Sequence, residues 1–255
     1  MPPICSVLSP VYNLQSYDPW LQENYIKTVT SYIENNIEVV IVDDKSTDDT
    51  LKILYDQFGL KNKKFRELHL PDNLIIYEKG KNLGVSSSLN IAGELASGEY
   101  YCLGSIRGWY TPSDLITMAE YLMEHIDIGV VYAKTQYHGT SNQLVDNKLW
   151  HTVDLISKFP TLQGYLYKSQ SFDLGLRYMT GCYRDGVWVY PSDWQFLNEL
   201  VFYLDYQVEM VPDVTFNYYY SGEKQQSVVF NKYEKKIRSI FKSLWIEELF
   251  HTKGL

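Results

Sequence analysis

Residues 37–42 form a β-branched run that stops abruptly at two carboxylates, Asp43-Asp44. A run of this kind, broken only by Glu38, is the pattern of a strand buried on both faces. Such strands belong to parallel sheets covered by helices on each side. Packing gives no reason for a pair of carboxylates at the end of a buried strand, so this point constrains the chain more than any other.

The surrounding pattern agrees. Strand-like runs at residues 4–11, 37–42, 74–78, 100–104 and 128–137 alternate with helical spacing at 20–35, 48–58, 84–96 and 112–125. Alternation of this sort predicts an α/β fold, with a mostly parallel central sheet and helices on both faces. Ligands of such sheets sit outside the carboxyl ends of the strands. The strand ends at Pro10 to Asn13, Asp43 to Lys45 and Ser105 to Gly108 are therefore the candidate site. The second half is less regular. It predicts strands at 162–168, 187–190, 207–211 and 215–220, a helix at 192–204 and a long terminal helix at 229–250. With 255 residues, no repeat and no low-complexity linker, the chain reads as one domain, 1–255. Its first half would run to about 110, a smaller mixed half from 111 to 228, and an amphipathic helix over 229–251.

Composition narrows the function classes. Hydrophobic residues make up 45% and charged residues 21%, ordinary globular values. The formal net charge of -8 argues against nucleic acid as a partner. Cys5, Cys102 and Cys182 are odd in number and far apart, which suggests neither a disulfide framework nor a metal site. A cytoplasmic location is expected. No secretory leader is expected at residues 1–10, and no run reaches the roughly 18 apolar residues of a membrane span. The 23 Tyr and 6 Trp suit sugar surfaces, though plain packing is the more ordinary account.

A carboxylate at Asp43 can accept a hydrogen bond from a nucleobase imide or a ribose hydroxyl. A pair of capping and turn aspartates is the competing account. The wider sequence bears on that choice. The runs Ser6-Val7-Leu8-Ser9-Pro10-Val11-Tyr12-Asn13 and Val40-Ile41-Val42-Asp43-Asp44-Lys45-Ser46-Thr47-Asp48-Asp49-Thr50 resemble the opening of family 2 glycosyltransferases with a GT-A fold. Asn82-Leu83-Gly84, Asn90, Ala96-Ser97-Gly98-Glu99-Tyr100-Tyr101 and Trp109-Tyr110-Thr111-Pro112 resemble later elements of that family in the same order. The layout is similar to small enzymes of the spore-coat polysaccharide type.

The resemblance implies roles. Pro10, Val11, Tyr12 and Asn13 would line a nucleoside pocket, with Asp43 on the base. Asp44 would lie near the ribose or support its loop, and Gly84 and Asn90 would belong to the donor site. The donor would be a nucleotide sugar, UDP- or dTDP-linked, and the acceptor a glycan or other hydroxyl compound, as in polysaccharide biosynthesis. Asp193 would be the general base of an inverting transfer; a helix N-cap is the other account of that residue.

One departure matters as much as the match. The family's Asp-x-Asp falls, without a gap, on Ser105-Ile106-Arg107. A hydroxyl and a guanidinium do not make the hard oxygen site that magnesium or manganese needs, so a divalent metal is doubtful. The stretch 216–222 also lacks the histidine often found there, and the five histidines show no ligand spacing. Two readings remain open. In one, Arg107 replaces the cation by bonding phosphate oxygens. In the other, the chain is a non-catalytic binding or scaffold protein on the same fold. Trp109, Tyr110, Trp188 and Trp194 are candidate sugar platforms, with core packing as the alternative. The terminal helix is a candidate for homo-oligomer pairing or for contact with a membrane surface, peripheral to the bilayer.

Overall fold

The β-branched run forms β2 (Glu38–Asp43), buried along its whole length. It lies between β1 (Cys5–Val11) and β3 (Leu74–Glu78), parallel to both. The structure, a computed structural model, describes residues 3–59, 72–139, 144–145, 164–178, 180, 183–184, 187–188, 196–197, 199–201 and 204–220. Alternate residues of β2 serve two separate cores. Val39 and Ile41 face the cluster under α1 (Pro19–Glu34), while Val40 and Val42 face the cluster under α3 (Val85–Leu95). Each such side chain, fully buried, stabilises the fold by about 1.5–3 kcal/mol.

The sheet continues through β4 (Tyr100–Leu103), β8 (Leu166–Lys168), β6 (Ile128–Gly139), β11 (Gln207–Tyr220) and β5 (Gly108–Trp109). Its order is β3-β2-β1-β4-β8-β6-β11-β5, with β7 (Leu144–Val145) also on β6. β1, β2, β3, β4, β6 and β11 all point one way; β5, β7 and β8 oppose them. The sheet is therefore mostly parallel, as the strand and helix alternation predicted. α1, α2 (Thr50–Gln57) and α4 (Pro112–Glu124) cover one face. α3, the short helix Gln170–Asp173 and helical residues at 196–197 and 199–201 cover the other. A separate two-stranded ribbon pairs β9 (Tyr183–Arg184) with β10 (Val187–Trp188).

Local chemistry sets the boundaries. Asp18 caps α1 by accepting the Trp20 amide at 2.9 Å, with Pro19 in the first turn. Thr111 and Asp114 cap α4 reciprocally, again with proline at the start. Two features depart from the expected pattern. Residues 207–220 are one strand, not two; its register shifts between Met210 and Thr215, around Pro212 and Asp213, which has φ 62. β5 is too short to show a period in the sequence, yet it locks the turn before it onto β11. The expected terminal helix at 229–251 lies outside the described residues.

Glu38 is the one charged residue before Asp43 in β2, and the fold uses it. It is buried, accepts the Ser6 hydroxyl at 2.5 Å, and accepts the Ser97 amide and hydroxyl at 2.7 Å each. These bonds tie the Ser97-Gly98 turn to the start of β1. Gly98 donates to Ser6 Oγ at 2.9 Å, and a Cβ there would stand 2.8 Å from the backbone of Cys5 and Ser6. Close approach, not backbone angle, is what requires glycine. Gly98→Ala should therefore cost about 1–3 kcal/mol in denaturant unfolding, whereas a value near zero would contradict this account of the turn.

Candidate functional site

The loops after β1, β2 and β4 meet at the carboxyl ends of the sheet. Val11 lies opposite Asp43 in register, and the Asp44 amide donates to Val11 O at 2.8 Å. Asn13 takes a left-handed conformation, φ 51, which small polar side chains tolerate. Its amide donates to Ser46 Oγ at 2.9 Å, and its side-chain oxygen accepts the Thr47 amide at 2.8 Å. Ser46 in turn donates its amide to Asp43 Oδ2 at 3.0 Å and its hydroxyl to Asp43 Oδ1. Pro10, Val11 and Asn13 thus join Asp43 in one cross-braced rim, from which Tyr12 projects, 43% exposed. Burial pushes the Asp43 carboxyl above its ordinary range; the two Ser46 bonds oppose this, and Glu78 and Asp44 reinforce it.

Asp44 has a different job. Its carboxylate accepts Lys79 Nζ at 2.6 Å, the Leu83 amide at 3.0 Å and the Gly84 amide at 2.8 Å. Both side chains of the ion pair are buried, at 7% and 3% exposure. Lys79 also donates to Ser88 Oγ at 3.2 Å, inside α3. The pair therefore holds the loop that starts α3 against the end of β2. Gly84, with φ 85, stands at the head of that helix, where a side chain would strain the backbone. Of the two expectations for Asp44, loop support is what these bonds perform.

Asn90 lies elsewhere on α3. Its side-chain amide donates to Tyr178 O and accepts the Tyr178 amide, both at 2.8 Å. That reciprocal pair occupies the side chain in tethering residues 176–178 to the helix.

At the end of β4, Gly104 donates to Leu8 O at 2.7 Å, and Ser105 Oγ accepts the Arg107 amide at 3.2 Å. Arg107 O accepts the Tyr219 amide at 2.8 Å. Three residues on, Tyr110 N donates to the Tyr32 hydroxyl at 3.1 Å, which donates back to Tyr110 O at 2.9 Å. A Cβ on Gly108 would meet the Phe216 ring at 2.4 Å. The turn is thus fixed at each end. The Arg107 guanidinium rests over the Tyr17 ring, 5.4 Å from its centroid, on the loop that also carries Asn13. Ser105 is exposed and Arg107 half-buried.

This donor set does not fit a divalent cation. Ser105 offers one neutral oxygen and Arg107 only N–H donors. Among the described residues, no group of three or more His, Cys, Asp or Glu is placed to hold a metal. Asp193 and Trp194 lie outside the described residues, as does the Trp188 side chain. Tyr110 is buried at 2% exposure and belongs to the core, while Trp109 is half-buried beside Trp20. Lys79, Tyr17 and Trp20 escaped the sequence reading. Lys79 had a visible signal: Asp43 pairs with Glu78, so opposite charges follow at equal offsets on parallel neighbours.

Braced loops with carboxylates and amides at the carboxyl ends of a parallel sheet define a ligand-binding α/β domain. Residues 6–184 match the Glycosyl transferase family 2 profile, and the chain belongs to that family. A segment covering 52% of the chain is 26% identical to Glycosyltransferase GlyA of Streptococcus pneumoniae serotype 4, and covers 18% of that protein. S. aureus TarS 1-349 in complex with UDP-GlcNAc superposes with a TM-score of 0.63 at 19% identity, over 88% of this chain and 60% of that one. Mannosyltransferase PcManGT from Pyrobaculum calidifontis, in complex with GDP-Man and Mn2+, gives a TM-score of 0.56 at 19% identity, over 88% and 59%. These likenesses establish the GT-A fold. The chain spans less than a fifth of GlyA and about three-fifths of the two solved structures. Among the described residues, no helix is long and apolar enough to cross a membrane.

The clamp on the α3 loop gives a direct test. Asp44→Ala should destabilise the fold by about 3–5 kcal/mol, because it strands Lys79 in the interior. The double variant Asp44→Ala with Lys79→Met should recover much of that loss in a denaturant double-mutant cycle. Additive losses would contradict a coupled pair.

Proposed function

We propose that this chain transfers a sugar from a nucleotide sugar to a hydroxyl acceptor, with inversion and without a divalent metal. The carrying observation is a braced rim of Asn13, Asp43 and Ser46 at the strand ends, with the Arg107 guanidinium over Tyr17 on the loop that also carries Asn13. Membership of the glycosyl transferase family supports the reaction class. The UDP-GlcNAc held by TarS supports a uridine diphosphate donor, with the thymidine analogue as the close alternative.

In this proposal Asp43 accepts the base imide, and backbone groups of Pro10, Val11 and Tyr12 line the nucleoside. Gly84 lets the backbone approach the donor, and Ser105 bonds the ribose or a phosphate oxygen. Asp44 and Asn90 position these elements without touching the donor. The acceptor is a glycan or another hydroxyl compound. Asp193 takes the proton from the acceptor hydroxyl. The oxygen forms its bond to the anomeric carbon from the face opposite the diphosphate. The bond from that carbon to the diphosphate oxygen breaks, and its electron pair leaves with the nucleoside diphosphate. The Arg107 guanidinium offers two parallel N–H bonds to the phosphate oxygens as their charge develops. PcManGT holds GDP-Man with Mn2+ on this fold. Here the fixed cation is a side chain.

Turnover of a panel of UDP- and dTDP-sugars by the purified chain tests this. Activity should persist in excess EDTA. Arg107→Ala should lower kcat by about 10²–10³, and Asp193→Asn by about 10²–10⁴. Activity that vanishes with EDTA overturns the metal-free reading. Failure to turn over any donor, with UDP still bound, favours the non-catalytic reading.

A further inference from the structure

A ring cluster sits beside the Arg107 turn. Trp20 packs edge-on to Trp109, centroids 6.0 Å apart, and lies 5.3 Å from Tyr219. Trp109 stacks on His138 at 5.4 Å, with 22° between the planes. Strand register puts most of these on one surface. Trp109 lies opposite Asn217 in the β5–β11 pair, and His138 lies opposite Tyr219 in the β6–β11 pair. Asn217 and Tyr219 are two apart, so they share a face. His138 Nε2 and Asn217 Oδ1 are 2.9 Å apart, which fixes the imidazole under the indole.

Tyr219 packs against the core, but the cluster as a whole reaches the surface. Trp20 is 47% exposed, and Trp109, His138, Asn217 and Tyr219 are all half-buried. The rings belong to three strands and a helix terminus: β11 holds the strands of Trp109 and His138 beside Tyr219, Arg107 O accepts the Tyr219 amide, and Asp18 caps the helix start at Trp20. Rigid, partly exposed aromatic rings with polar groups at the edge are a poor surface for water. They match a pyranose, whose C–H face is apolar and whose hydroxyls point outward. The position also matters. Tyr219 bonds the backbone of Arg107, and Trp109 follows it by two residues, so the platform adjoins the proposed diphosphate site directly.

We infer that Trp20, Trp109, Tyr219 and His138 form a stacking platform for a sugar ring of the acceptor glycan, seated beside the Arg107 turn. This rests on the proposed transfer to a glycan acceptor. It adds Trp20, which opens α1 just after the loop that carries Asn13 and Tyr17. One sugar ring stacks on the exposed Trp20 indole with Trp109 beside it, and its hydroxyls meet the polar rim at Asn217.

Titration of the full chain, labelled with 5-fluorotryptophan, with cellotetraose, maltotetraose and chitotetraose tests the platform by ¹⁹F NMR. At least one of these should shift the Trp20 and Trp109 signals. Trp20→Ala should weaken its binding about tenfold, and Trp20→Phe, which keeps a ring, should restore most of it. If saturating amounts of all three move neither signal, or if Trp20→Ala binds as tightly as the parent, the platform is wrong. A parallel UDP titration separates the two readings. UDP binding without saccharide binding overturns the platform alone. Saccharide binding at Trp20 without UDP binding overturns the donor proposal and leaves the platform standing.

Discussion

The buried pair of Asp44 and Lys79 is the contact on which the geometry of the strand-end loops depends. Opposite charges out of water stabilise a structure only if their remaining hydrogen-bonding capacity is used. Here it is: Asp44 also accepts two amides of the 83–84 loop, and Lys79 also reaches Ser88. The result joins the ends of two parallel strands to the head of α3. Without it, Gly84 would not be held against the end of β2, and the rim that Asp43 forms with Asn13 and Ser46 would lose its neighbour. Stability and site geometry here are the same interaction.

Charge sets the second constraint. A leaving nucleoside diphosphate needs a positive partner in a place that does not relax. This family commonly uses a metal held by carboxylates. At the end of β4, where the sequence resemblance would put those carboxylates, this chain carries Ser105 and Arg107. Arg107 is not on a loose loop: Ser105, Tyr219 and the Tyr32–Tyr110 clamp fix the turn, and the Tyr17 ring supports the side chain. A preorganised arginine is the chemistry that such a replacement requires.

Much of this was legible in the sequence because period and punctuation agree there. β2, β3, α1 and α4 follow their apolar spacing and their caps, so their bounds fall within a residue or two of expectation. The sequence singled out Asp43-Asp44, but not their division of labour. Which of two adjacent aspartates is buried against a lysine depends on β3, thirty-odd residues on. Asn90 shows the limit of a motif: its pattern placed it at the donor site, while its bonds run to Tyr178. β5 and the joined β11 were hidden because a two-residue strand has no period and Pro212 reads as a break. The ring cluster was invisible for a related reason. Trp20, Trp109, His138 and Tyr219 come from distant segments, and only sheet register brings them together.

The central claim is that a side chain, not a cation, balances the diphosphate. A crystal structure with UDP and Mn2+ present, with anomalous data collected at the manganese edge, tests it most directly. The account predicts a phosphate oxygen about 2.7–2.9 Å from the Arg107 guanidinium, Asp43 on the uracil, and no manganese peak at the diphosphate. A manganese ion bridging the two phosphates, with Arg107 turned away from them, would contradict it.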